Sequence, residues 1–411
     1  MLFSIFGGLY LAWNTGANDV ANAIGPSVGS GAVSIHTAIW MAVVFEFFGA
    51  AFAGGSVTQT VTQELFAMSS ADAKAFELAL MTACSILSAA IVMNAATVLG
   101  WPISTTQSIM GALFGGVLAL GDSAQVNFEP VVWLTLAWLV TPLLAFLIAL
   151  FGFRLVSSLI YGAEEPQERM KILAPYLCSI TAGLITSGVI IQGSAADVFT
   201  LPTGLGALIA SGVTIVVFFA VRPPLNRLMG TQRPDSLGEA FELVDRGFLI
   251  LQIPAACFLA FAHGSNDVAN AAAPLSMVFH LLMDGEQSDF QMTVPILMVS
   301  AIGIVIGLVT FGSKVVTTVS RQITHLTPVS AFVAVFSSAI LVLLSTKLGM
   351  PVSTTHIVVA AIIGVGAARA VASIDQKVVR EILLSWVLTV PATATLTFLI
   401  GRTVALFVVA A

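Results

Sequence analysis

Apolar stretches of about 20 residues recur along the whole chain, each long enough to cross the ~30 Å hydrocarbon core of a bilayer as a helix. Only 9% of the 411 residues are charged, whereas a soluble domain carries about 25%. The stretches lack the alternation of barrel strands, and helices satisfy their own backbone polar groups. The sequence therefore predicts an all-α polytopic membrane protein, without a nucleic-acid partner.

Cysteine spacing and the N-terminal stretch exclude other classes. Cys84, Cys178 and Cys257 lie inside apolar runs at unrelated spacings, so the cysteines indicate neither a disulfide framework nor a cysteine-ligated metal site. The first apolar stretch lacks a basic region and a cleavage-site pattern, so no signal peptide is expected. No cofactor is predicted.

Two motifs occur twice in the same order. GANDVANA at 16–23 returns as GSNDVANA at 264–271, and GWPISTT at 100–106 returns as GMPVSTT at 349–355. Asp19 and Thr105 are 86 residues apart, and Asp267 and Thr354 are 87 apart. Such matched spacing indicates a duplicated unit. We predict a first repeat at 1–153, a central region with two linking helices at 154–246, and a second repeat at 247–411.

The loop charges set the expected orientation. Lys and Arg concentrate in cytoplasmic loops, and two basic loops flank the central region: Arg154, Arg169 and Lys171, then Arg222, Arg227, Arg233 and Arg246. Acidic loops with Asp284, Glu286 and Asp289, and around Asp122, are placed outside. On this count the two repeats are inverted, a plan known in secondary transporters.

The Asn-Asp motif predicts a cation site. An ionised Asp at the bilayer centre costs about 2.5–3.5 kcal/mol, and neither Asp19 nor Asp267 has a Lys or Arg nearby in sequence. Carboxylate and amide oxygens suit hard cations such as sodium. A helix break at the motif would add carbonyl ligands. The alternative is that Asn and Asp only cap a broken helix.

The Pro-x-Ser-Thr-Thr motif predicts a helix start at the tip of a re-entrant hairpin. Ser104 or Thr105 would cap a helix to about Leu120, and Ser353 or Thr354 one to about Arg369. Helix N-termini and hydroxyl donors bind small oxyanions. The alternative is an ordinary loop between two crossings. A cation bound beside the anion would raise the protein's affinity for the anion. This coupling is the physical basis of symport.

Other polar residues in apolar runs have less certain roles. Glu46 is either functional or a protonated carboxyl bonded between helices. His263 and His356 adjoin the motifs, whereas Thr15 and Gln107 hold the equivalent places in the first repeat. Both histidines are interpreted as polar packing residues.

At these residues the chain resembles the inorganic phosphate transporter family, which includes bacterial phosphate permeases and sodium–phosphate symporters that double as retroviral receptors. The resemblance covers both copies of each motif. It implies about twelve transmembrane helices, with phosphate transport driven by sodium or protons. The cation role falls on Asn18, Asp19, Asn22, Asn266, Asp267 and Asn270. The phosphate role falls on Ser104, Thr105, Thr106, Ser353, Thr354 and Thr355.

The combined prediction is a secondary transporter, not an enzyme, for sodium-coupled symport of phosphate by alternating access. The large central loop of eukaryotic members is absent, which indicates a prokaryotic inner-membrane protein. Proton coupling and sulfate as substrate are the alternatives within transport. An anion channel, or an intramembrane hydrolase with Ser104 or Ser353 as nucleophile, fits less well, because neither needs paired acidic motifs. A homodimer is compatible with the apolar surface.

Overall fold

The computed structural model describes residues 2–68, 75–120, 128–195, 201–230, 234–283, 294–313, 315–316, 323–369 and 374–409. Within these ranges the secondary structure is helical and contains no β-strand. The predicted all-α architecture is confirmed.

Seven helices precede the linking region. They are α1 (Leu2–Asn18), α2 (Val20–Gly29), α3 (Ile35–Ala53), α4 (Gly55–Met68), α5 (Ala75–Leu99), α6 (Thr105–Ala119) and α7 (Glu129–Ile160). The two linking helices, α8 (Pro166–Ala195) and α9 (Thr203–Met229), correspond to the predicted pair of central crossings.

The second repeat follows in the same pattern. Its helices are α10 (Leu237–Asp267), α11 (Ala269–Met283), α12 (Val294–Phe311), α13 (Pro328–Lys347), α14 (Thr354–Arg369) and α15 (Gln376–Val409). The predicted boundaries at 153/154 and 246/247 fall inside α7 and α10, so continuous helices join the linking region to both repeats.

Both Asn-Asp motifs interrupt a helix, as predicted. The interruption between α1 and α2 is one residue, Asp19, and that between α10 and α11 is Val268. Both residues keep right-handed helical dihedrals. The N–H of Asn22 bonds to the carbonyl of Asp19 at 2.9 Å, a tightened turn. The predicted helix break is thus present but is limited to one residue in each motif.

Contacts between the repeats occur in exchanged pairs. Helix α1 packs on α12 while α10 packs on α3, and α6 packs on α15 while α14 packs on α7. Because α1 corresponds to α10, α3 to α12, α6 to α14 and α7 to α15, each contact appears twice with its partners exchanged. This exchange of partners supports the predicted duplication.

Matched glycines allow these helices to approach closely. A Cβ on Gly16 would lie 1.8 Å from the carbonyl oxygen of Ile304 on α12. A Cβ on Gly264 would lie 2.3 Å from the carbonyl oxygen of Glu46 on α3. Only glycine permits such backbone contact, and it fixes both motif helices against the opposite repeat.

Each hairpin turns at a glycine with left-handed backbone. The φ angle is 73° at Gly100 and 68° at Gly349. The N–H of Trp101 donates to the carbonyl of Ala96 at 2.9 Å, and an equivalent bond follows Gly349. These are Schellman ends, which stop α5 and α13 and direct the chain into the Ser-Thr-Thr segment.

Nine helices in the described ranges are long and apolar enough to cross a membrane, by length and composition. Helices α6 and α14 have 15 and 16 residues. They rise only about 22–24 Å, less than the ~30 Å hydrocarbon core. Their length favours re-entrant hairpins, and such short helices explain why length gives nine spans where the resemblance implied about twelve.

The predicted orientation rests on loop charges. Most of the predicted outside loops lie outside the described residues, at 69–74, 121–127, 196–200 and 284–293. Lys314 and Arg321 also lie outside them. The inverted orientation of the repeats therefore stays a prediction.

Candidate functional site

The two Asn-Asp motifs meet where the repeats pack together. Ligand atoms of Asp19, Asp267 and His263 all lie within 4.8 Å of one another. Every one of the twelve predicted site residues is buried, with at most 2% of its surface exposed. Residues predicted from opposite ends of the chain thus form one enclosed polar centre.

Asp19 is bonded to hydroxyl groups from both repeats. Thr105 donates its hydroxyl to Asp19 Oδ2, and its backbone N–H lies 3.4 Å from the same oxygen. The hydroxyl of Thr355 donates to Asp19 Oδ1 at 3.3 Å. The carboxylate of the first repeat therefore joins the hairpin tips of both.

Asp267 has a related set of partners in the second repeat. The hydroxyl of Thr354 donates to Asp267 Oδ2 at 2.9 Å, as Thr105 does to Asp19. His263 Nε2 lies 3.1 Å from the same oxygen. The residues predicted for the cation and those predicted for phosphate are therefore in direct contact, as a cation beside the anion requires.

Asn18 and Asn266 join each motif helix to its hairpin tip. Asn18 Nδ2 donates to Thr97 Oγ1 at 3.0 Å and to the carbonyl of Trp101 at 3.1 Å. Asn266 Nδ2 donates to Thr346 Oγ1 and to the carbonyl of Met350, both at 3.1 Å. With both amide hydrogens engaged, Asn18 Oδ1 is left without a donor, whereas Asn266 Oδ1 accepts from the N–H of Val352 at 3.3 Å. Sequence reasoning missed the buried Thr97 and Thr346, because isolated threonines in apolar helices carry no motif.

The third Asn of each motif breaks the symmetry. Asn22 Nδ2 donates to Thr355 Oγ1 at 2.8 Å. Asn270 Nδ2 is buried without a hydrogen-bond partner. The two repeats are thus not equivalent at the centre, and Thr355 has more contacts there than its counterpart Thr106.

The serines of the hairpin tips cap helices, as predicted. Ser104 Oγ accepts from the N–H of Gln107 at 3.1 Å, and Ser353 Oγ accepts from the N–H of His356 at 3.2 Å. Both α6 and α14 therefore begin at the centre, where helix N-termini favour negative charge.

The two hairpin tips contact each other through reciprocal bonds. Thr106 Oγ1 donates to the carbonyl of Val352 at 3.1 Å, and Thr355 Oγ1 lies 3.4 Å from the carbonyl of Ile103. The threonines are equivalent by repeat, and so are the carbonyls. The tips thus close over the centre.

Three buried oxygen atoms of the site accept no hydrogen bond. They are Asn18 Oδ1, Asn22 Oδ1 and Asp267 Oδ1. Buried polar atoms are nearly always paired in folded proteins, so unpaired acceptors require an explanation. A bound cation is one, because it accepts lone pairs from several oxygens at once.

Glu46 and His263 form a buried pair behind the centre. His263 Nδ1 is hydrogen-bonded to Glu46 Oε1, linking α3 to α10, and both side chains are fully buried. His263 thus contacts two carboxylates, those of Glu46 and Asp267, which the interpretation of His263 as a packing residue did not include. One signal was present: His263 lies four residues before Asp267, on the same helix face. Glu46 and His263 are 217 positions apart, so their pairing had no local signal.

His356 and Gln107 follow the Ser-Thr-Thr segments but differ in role. The ring of His356 stacks on Trp386 with centroids 3.7 Å apart, in keeping with the packing interpretation. Gln107 has a buried side-chain oxygen without a partner.

If Asn18 is a sodium ligand as predicted, Thr97→Val should weaken sodium binding by about 10- to 100-fold, the usual effect of losing a group that orients a ligand. The valine keeps the shape of the side chain but removes the hydroxyl that holds the Asn18 amide. Sodium titration of phosphate uptake would measure it. Thr403→Val is the matched control, because that exposed hydroxyl bonds only within its own helix. Equal sodium dependence in the two variants would contradict the assignment.

The sequence and the fold were compared with those of known proteins. The sequence profile of the phosphate transporter family matches residues 15–397. A putative phosphate permease of Chlamydia trachomatis is 35% identical over 410 residues, covering 95% of each chain. Inorganic phosphate transporter 2-1, chloroplastic, of Arabidopsis thaliana is 34% identical over 412 residues, 95% of this chain and 69% of that protein.

A solved structure has the same fold as this chain. It is described as a sodium-dependent phosphate transporter, and it superposes with a TM-score of 0.89 at 30% identity, covering 98% of both chains. The resemblance seen in the motifs is thereby confirmed along the whole sequence. This chain belongs to the phosphate transporter family and is a multi-pass protein of the cell membrane, a transporter and not an enzyme.

Proposed function

We propose that the chain is a sodium-coupled symporter of inorganic phosphate that works by alternating access. The observation that carries the proposal is the meeting of two buried carboxylates, Asp19 and Asp267, one from each repeat. Within the described residues, no hydrogen bond or ion pair joins either one to a Lys or Arg. His263 Nε2 lies 3.1 Å from Asp267 Oδ2, which is one basic partner for two buried carboxylates, so a further cation is needed to offset both charges.

The cation sites use the carboxylates and the amide oxygens around them. Sodium is a hard cation suited to one carboxylate plus neutral oxygens. The unpaired Asn18 Oδ1, Asn22 Oδ1 and Asp267 Oδ1 supply such oxygens. Asn266 and Asn270 are the corresponding side chains of the second repeat. The name of the solved neighbour supports sodium as the coupling ion.

Phosphate binding uses the hydroxyls and the two helix N-termini. Thr105, Thr354 and Thr355 donate their hydroxyl protons to the carboxylates. A sodium ion bound to the carboxylates takes the place of these hydrogen bonds, while the hydroxyl groups keep their protons. The hydroxyl oxygens then turn toward sodium and the protons toward the anion. Ser104, Thr106 and Ser353 provide further donors at the same tips.

This exchange of partners explains coupling in physical terms. Without sodium, hydroxyl donors are occupied by Asp19 and Asp267, and an anion beside bare carboxylates is repelled. With sodium, the same donors are free and the charge is offset. Each ligand therefore raises the affinity for the other by the same factor.

The enclosed centre supports alternating access. All predicted ligands are buried, and the hairpin tips are joined by the Thr106 and Thr355 bonds. Ligands can enter or leave only if the tips separate. Since the tips belong to different repeats, movement of one repeat against the other opens the site.

Uptake of radiolabelled phosphate into proteoliposomes tests the proposal. We expect uptake with an inward sodium gradient, and none above protein-free liposomes with potassium in its place. Uptake driven by protons but not sodium would keep the substrate and overturn the sodium assignment. Sulfate uptake without phosphate uptake would overturn the substrate.

A further inference from the structure

A large apolar groove, lined by no residue of the two motifs, lies between α3, α8, α9 and α10. Its volume is about 510 Å³. It is lined almost wholly by aliphatic and aromatic side chains, with Phe45 at one wall and Val213, Val217 and Val221 along α9. Thr186 and two free cysteines are the other groups of note.

The groove opens where the chain meets lipid. Helices α3, α8, α9 and α10 are all candidate membrane spans. Of these four helices, α9 is the least buried by the rest of the protein: only 6% of its most apolar 18-residue stretch is buried. An apolar cleft on such a surface faces the acyl chains of the bilayer, and a chain that fills it gains the van der Waals contacts of the groove walls.

A positive charge lies at one end of the groove. Arg222 directly follows the groove residue Val221 and is exposed. Its guanidinium lies over the ring of Phe218, 4.9 Å from the centroid. The stacking holds the guanidinium on the ring next in sequence to the groove residue Val217, near the end of the groove that Val221 lines. Basic residues at the cytoplasmic surface attract anionic lipids, and this end of α9 is the predicted cytoplasmic end.

We propose that the groove binds one acyl chain of an anionic phospholipid of the inner leaflet, with its headgroup on Arg222. The guanidinium binds phosphate oxygens in a forked geometry. The chain would lie along α9 from Val221 toward Val213. It would also touch Phe45, the neighbour of Glu46. The bound lipid therefore supports the α3–α10 contact that positions His263.

Lipid titration followed by native mass spectrometry tests the proposal on the purified full chain. We expect phosphatidylglycerol to bind more tightly than phosphatidylcholine. Arg222→Gln should reduce that preference about fivefold, the effect of one interfacial basic residue. Ala182→Leu, which fills the groove, should weaken binding of both lipids.

Two control variants separate the groove from the general surface. Arg402→Gln removes an exposed charge on α15, and Ala220→Leu enlarges an exposed residue of α9 outside the groove. Both should bind lipid as the wild type does. Equal binding of the two lipids to wild type, or equal behaviour of Ala182→Leu and Ala220→Leu, would overturn the proposal. So would a change in oligomeric state of Ala182→Leu at constant lipid, because a second copy would then occupy the groove.

Discussion

Asp19→Asn and Asp267→Asn should each lower sodium-driven phosphate uptake by more than about 100-fold. Asparagine keeps the shape of the side chain but removes the charge that offsets the cation. Loss of one partner from a buried charge pair costs about 3–5 kcal/mol, and 1.4 kcal/mol is a tenfold change. Initial rates in proteoliposomes with equal amounts of protein would measure the effect.

Glu242→Gln is the matched control for both aspartates. It also neutralises one carboxylate, but Glu242 is exposed and pairs only with Arg246 within α10. Exposed pairs contribute little, so uptake should stay at the wild-type rate. If either Asn variant transported like this control, the corresponding carboxylate would not be part of the cation site.

Gly264→Val should prevent assembly of the native helix packing, and Gly16→Ala should strongly destabilise it. The new Cβ would lie 2.3 Å from a carbonyl oxygen of α3 in the first case and 1.8 Å from one of α12 in the second. Overpacking typically costs about 1–3 kcal/mol, and more where backbone must move. Loss of a monodisperse peak and a lower melting temperature in detergent would report it.

Gly212→Ala provides the comparison for these glycines. It lies within α9, and a Cβ there would meet nothing within 4 Å. Replacing glycine by alanine inside a helix gains about 0.5–1 kcal/mol, so this variant should be as stable as wild type or more so. Equal stability of Gly264→Val and Gly212→Ala would show that the α3–α10 contact is not as close as described.

The repeats and their helix ends were predictable because their signals are local. The duplicated motifs, matched in order and spacing, are enough to indicate two related units. The serine caps at Ser104 and Ser353, and the helices that follow them, were expected from Pro-x-Ser-Thr-Thr alone. Helix breaks at the Asn-Asp motifs were expected too, although they are only one residue long.

Contacts between the repeats were not predictable from the motifs. The bond from Thr355 to Asp19 joins residues 336 positions apart, and no periodicity in the sequence encodes such a distance. The motifs indicated a cation beside an anion, but not which hydroxyl bonds to which carboxylate. The pairing of Glu46 with His263 was missed because each residue is isolated in its own apolar helix.

Phosphate binding to the purified protein at varied sodium concentration would be the decisive measurement. If sodium frees the hydroxyl donors at Asp19 and Asp267, phosphate affinity should rise with sodium. Sodium affinity should rise with phosphate by the same factor, because coupling is reciprocal. Potassium at equal ionic strength should have no such effect. Phosphate affinity that is unchanged between sodium and potassium would contradict a shared site for the two ions.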